Sequence, residues 1–239
     1  MEAVEELARS VNYVQDLSAP LTHSSTFVDD ALISIELEDG GRFTVQRATL
    51  CQSSEYFRKA LRGDFQEASN NKLKIPGCTS ESFRLILYWI CNSNLPDWTT
   101  ALKQNKMDAH SRQLCLAKLW LTSDMLLMVR LQHETMRKLR SITNIYTISH
   151  EAMSCAFDSA PHDSPILQVL LQDASRDFFS ATGTYTSEEM DAFGSIPGFL
   201  QAFIEIGERL KINNHYHMKV PVSRDEDSKF EVKPAAKNN

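Results

Sequence analysis

The side chains able to do chemistry are scattered. Five cysteines, Cys51, Cys78, Cys91, Cys115 and Cys155, fall at none of the close spacings that join zinc ligands or redox pairs, so the sequence reads them as buried or half-buried free thiols. His215 and His217 flank Tyr216 and have the look of a metal pair, but they lack neighbouring carboxylate or cysteine ligands and read as part of a solvated tail. Serines, cysteines and histidines are present without a Gly-flanked nucleophile elbow, and the eight glycines form no phosphate loop. The expectation is a binding protein rather than an enzyme, with no metal and no cofactor. Met125, Leu127 and Met128 offer either a pliable partner surface or ordinary core packing, and packing is the commoner use.

The elements that must carry any site follow from periodicity. A weak amphipathic stretch (Val4, Leu7, Ala8, Val11) leads into a Ser/Thr/Pro/His linker. From Ala31 the pattern alternates, with Ile33, Ile35 and Leu37 on one face and Ser34, Glu36 and Glu38 on the other, which is a half-buried strand. Asp39-Gly40-Gly41 supplies a turn, and Phe43 and Val45 resume the alternation as the second arm of a hairpin. Ser53 or Ser54 caps a helix with Phe57, Ala60 and Leu61 inward and Gly63 at its end. Lys72–Ile75 reads as a third strand stopped by Pro76-Gly77. Thr79 or Ser80 then opens a helix striped by Phe83, Ile86, Leu87 and Ile90.

Residues 92–112 are polar and read as an exposed insertion. Helical pattern returns at Leu114, Ala117 and Leu121, pauses at Thr122-Ser123-Asp124, and restarts with Leu127, Val129 and Leu131 inward and Ser123 as cap. The second half reads as all helical: one helix over Ser149–Asp158, one opened by Ser164-Pro165 and striped by Leu167, Leu170, Leu171, Ala174 and Phe178, a short one from Ser187, and a last one carrying Leu200, Phe203, Ile204 and Leu210. From Asn213 onward charge and proline replace periodicity, as in a mobile tail.

At 239 residues and 42% hydrophobic the chain can fill a real core, and a net charge of −6 argues against a broad phosphate-binding surface. Neither paired Cys/His spacing nor a basic helix suggests direct contact with nucleic acid. An acidic start, scattered cysteines and the lack of a long apolar run point to cytoplasm or nucleus and away from a membrane.

Several motifs in order narrow the reading. Asp30 to Ile35, then Gly41 to Arg47, then Leu50 and Ser53-Ser54-Glu55-Tyr56-Phe57, then Leu73-Lys74-Ile75-Pro76 and Phe83 to Ile90, and finally Leu116-Ala117-Lys118-Leu119-Trp120, together resemble the signature of the BTB/POZ domain family. The chain departs from it at Gln46, where many members carry His, at Trp120 in place of Tyr, and in the length of the 92–112 segment.

The resemblance implies an α+β fold, a BTB/POZ domain with a small sheet and flanking helices over 27–131, preceded by a partly flexible segment 1–26. A helical extension over 132–212, like those of fungal single-domain BTB proteins, and the tail 213–239 would follow. It implies protein partners and a homodimer. Phe65 and Glu67 resemble the hydrophobic-x-Glu motif through which BTB adaptors engage a cullin scaffold. The other reading has Phe65 closing the core after Gly63-Asp64. Asp30 and Arg47 match a charged pair beneath the family's dimer groove, or else a structural pair that sets strand register. Two functions fit: an adaptor for a cullin-based ubiquitin ligase, and a dimeric scaffold or indirect transcriptional regulator without a ligase.

Overall fold

The computed structural model describes residues 31–61, 70–97, 108–178 and 185–212. They belong to two compact units, Met1–Asn94 and Leu95–Asn239.

The first unit is built on the alternating segment. β1 (Leu32–Leu37) buries Ile33, Ile35 and Leu37 and exposes the residues between them. It pairs antiparallel with β2 (Arg42–Gln46), Ile33 opposite Val45 and Ile35 opposite Phe43. The turn works because Gly40 takes a φ of 79°, open to glycine at little cost. The Asp39 carboxylate then accepts from the backbone of Gly41 (3.0 Å) and from the backbone (2.7 Å) and hydroxyl (2.9 Å) of Ser80, clipping the turn to a distant helix start. These bonds hold Asp39 below the usual carboxylate range, the Ser80 backbone N–H contributing most.

Two short helices follow, α1 (Arg47–Ser53) and α2 (Glu55–Ala60). The sequence reading found only the second, capped by the Ser54 hydroxyl, which accepts from the Phe57 amide. α1 escaped because it has no side-chain cap and buries a single residue, Leu50. The expected stop at Gly63 lies outside the described residues. β3 (Lys72–Ile75) pairs parallel with β1 and completes the sheet order β2-β1-β3. Gly77 (φ 69°) turns the chain into α3 (Ser80–Asn92), where Thr79 caps and Phe83 and Ile86 are buried, with Leu87 and Ile90 half-buried. The Phe83 ring lies 4.9 Å from that of Phe43, joining helix to hairpin.

Among its described residues the second unit holds helices joined by short loops and no strand. α4 (Ala109–Met125) starts on an Asp108 cap and includes Arg112, so part of the expected insertion is helix, and Arg112 is buried. The expected pause at Thr122-Ser123-Asp124 is absent. Ser123 is fully buried in the last turn of α4, where its hydroxyl donates to the Leu119 carbonyl (2.6 Å). The break comes at Leu126-Leu127-Met128, where Leu127 takes a φ of 54° and is exposed while its neighbours are buried. Leu127 is therefore not an inward position and Ser123 is not a cap. Met128 serves the core, and Met125 and Leu127 face solvent.

α5 (Val129–Thr143) returns along α4, and α6 (His150–Ser159) packs on α4 as well. α7 (Pro165–Phe178) begins where Ser164-Pro165 was expected to start it, α8 (Ser187–Gly194) carries a Thr186/Glu189 capping box, and α9 (Phe199–Ile212) packs on α7. The inward face of α9 differs from the expected stripe. Phe203 is buried as expected and Leu210 lies outside the described side chains, but Leu200 and Ile204 are exposed; Phe199 and Phe203 stack in a ladder running from Phe193 to Phe178, and Ile206 is buried. Both sets have helical spacing. The aromatic contacts decide between them.

Candidate functional site

Of the four residues Asp30, Arg47, Phe65 and Glu67, Arg47 lies among the described residues. It opens α1 directly after β2, and its backbone N–H donates to the Ala31 carbonyl (2.9 Å), fixing the foot of the hairpin. Its guanidinium reaches the other way. Nη1 donates to the Leu61 carbonyl (3.2 Å) and Nη2 to Oδ1 of Asn71 (2.8 Å). The planar fork of Arg suits this task, since it holds two acceptors at a set angle without further ordering cost.

Leu61 and Asn71 flank the segment 62–69. Arg47 thus ties both flanks of the stretch that carries Phe65 and Glu67. Those two residues, and Asp30, lie outside the described residues, as do His215 and His217. Asn71 was missed in the sequence, although the Asn70-Asn71 pair before a strand is a usable signal. Asn tolerates left-handed backbone, and Asn71 sits at φ 51° while offering its amide oxygen to Arg47.

The cysteines divide by burial. Cys78 and Cys115 are buried, Cys51 and Cys155 half-buried, and Cys91 exposed, against the expectation that all would be at least partly covered. Burial, aided by the nearby charge of Asp39, pushes the Cys78 thiol up to about 12, which removes it as a nucleophile at neutral pH. Among the described residues no three His, Cys, Asp or Glu side chains converge as a metal site, and no helix is long and apolar enough to cross a membrane.

Several buried polar groups in the second unit bond to one another or to nearby backbone, whereas Trp120 Nε1, Thr135 Oγ1 and Ser175 Oγ find no partner among the described residues. The Gln113 amide donates to the Thr147 carbonyl (2.7 Å) and accepts from the Ser149 backbone (2.9 Å), while the Tyr185 hydroxyl accepts from Ile148 (3.1 Å). Asp173 accepts from Thr143 (2.6 Å) and pairs with Arg176. These groups brace loops and helices.

A family model of the BTB/POZ domain matches residues 20–143, more than half of the chain. The chain belongs to the BTB/POZ domain family. The match covers the described part of the first unit and runs through α4 and α5 of the second. A comparison with curated proteins found no match. BTB/POZ domains are in general protein–protein interaction modules rather than catalysts, and this BTB chain is accordingly a protein-binding one.

Proposed function

We propose that this BTB protein self-associates and serves as an adaptor, holding a partner through its helical half and presenting it to a cullin-based ubiquitin ligase through Phe65 and Glu67. The observation that carries this reading is the Arg47 bracket on Leu61 and Asn71, which anchors both flanks of the segment bearing those two residues. An apolar knob and a carboxylate two residues on need such anchored flanks if they are to fill a pocket and orient a hydrogen bond with little entropy lost on binding. The Asp30–Arg47 pair, on this reading, belongs to the same support.

The full chain, mixed with a purified cullin N-terminal region, is expected to elute as a complex, and changing Phe65 and Glu67 together to Ala is expected to abolish it. Retained binding by the double variant would move the contact elsewhere. No complex with the native chain would favour a dimeric scaffold or indirect regulator. Light scattering should report a dimer, and a monomer at all concentrations contradicts self-association.

A further inference from the structure

The sheet of the first unit has an outer face that the cullin reading does not use. Strand alternation turns Ser34 and Glu36 of β1, Arg42 and Thr44 of β2, and Lys72 and Lys74 of β3 away from the core, and all six are exposed. The register sets them in two cross-strand rows. Lys72, Ser34 and Thr44 form one, and Lys74, Glu36 and Arg42 the other.

Within these two rows three cations surround one carboxylate, with Glu38 just past the end of β1, on a chain whose net charge is −6. Among the described residues no ion pair joins Glu36 to Arg42, Lys72 or Lys74. The same face holds a groove of about 430 Å³, lined by Ser34, Glu36, Arg42, Asn70 and the run Lys72–Lys74. Concavity and unspent positive charge coincide there.

We propose that this groove is a docking site for an extended acidic segment of a partner protein, with Asp or Glu at alternate positions. Carboxylates two residues apart on an extended chain are roughly 6.6–7 Å apart, which is the spacing of Lys72 and Lys74 along β3. Arg42, two strands away at roughly 10 Å, meets a third carboxylate or the end of the segment. Glu36 in the middle of its row repels a carboxylate placed over β1, so the charges of the segment gather over Lys72, Lys74 and Arg42. The same carboxylate works against a phosphodiester backbone, which carries charge at every unit.

The test is anisotropy of labelled short peptides added to the full chain. A peptide of alternating Glu and Thr should bind, and the same peptide with Lys for Glu should not. Binding should fall at least about tenfold when salt rises from about 0.05 to about 0.5 M and in the variant K72E/K74E, and should strengthen a few-fold in E36Q. Lys72 and Lys74 are exposed, and thermal melting checks that the variant is folded. Should it not fold, amide shifts of the native protein decide, since the Glu/Thr peptide must perturb Ser34, Glu36 and Thr44. Equal binding of the Lys peptide, unchanged binding by folded K72E/K74E, shifts confined elsewhere, or tighter binding of an oligothymidine would each overturn the proposal. None of these arms involves Phe65 or Glu67, so loss of the cullin reading leaves this one standing, and the reverse.

Discussion

The two units bury different kinds of side chain. In the described part of Met1–Asn94 the buried polar residues are Ser54 and Ser82, both engaged in capping a helix start. In Leu95–Asn239 there are thirteen, among them Arg112, Gln113, Arg140, Asp173 and Asp177. The first unit is held mainly by apolar area, which is non-directional and fails gradually. The second rests far more on directional bonds, whose loss strands a partner in a water-free interior.

The largest test of that contrast is Phe83→Ala. Removing a fully buried ring that also contacts Phe43 should cost about 3–5 kcal/mol. Hydrogen exchange should show the loss in the amides of β1 and β3. Next comes Gln113→Leu, which keeps the bulk of a side chain with no exposure at all but leaves the Thr147 carbonyl and the Ser149 N–H unanswered. A cost of about 2–3 kcal/mol, read as faster exchange in α4 and α6, is expected. If the leucine variant were as stable as the native chain, the polar bonds of the second unit would be incidental and the contrast would fail.

The same difference explains what could be read from the residues alone. β1, β3 and α3 were legible nearly to the residue because area burial writes itself as period two or period 3.6, and because Gly40, Gly77 and Thr79 punctuate it. In α4 the buried set includes Arg112, Gln113, Thr122 and Ser123, so the polar-outward rule placed a pause in what is the buried last turn of the helix. Leu200 and Ile204 misled in the opposite way, as apolar residues at helical spacing on an exposed face. Of the candidate site, the family pattern pointed to Arg47 as one half of a charged pair with Asp30, which lies outside the described residues. Of Arg47's acceptors, Asn71 left only the Asn70-Asn71 pair before a strand as a signal, and the Leu61 carbonyl, a backbone group, left none.

A smaller effect probes the clip between hairpin and helix. A Cβ on Gly41 would sit 2.0 Å from the Ser80 hydroxyl, which must swing away and give up its bond to Asp39. Gly41→Ala should therefore cost about 1–2 kcal/mol in urea unfolding. Adding Ser80→Ala to it should cost almost nothing more, because the hydroxyl has already been displaced. Additive losses would mean that the hydroxyl keeps its bond and that the strain lies in the backbone.

The smallest expected effect is a pH dependence at the same clip. Asp39 titrates below its ordinary value in the folded chain, chiefly because the Ser80 N–H donates to its charged form. A group whose folded pKa is lowered stabilises the fold above its unfolded pKa and loses that contribution as pH falls through the folded value. The difference in melting temperature between the native chain and Asp39→Asn should accordingly stay constant from neutral pH down to about 4 and shrink below it. Asp39 is exposed, so the difference is slight. A gap that widened on acidification would have the wrong sign for a carboxylate held by donors, and would place the stabilising contact on the protonated acid instead.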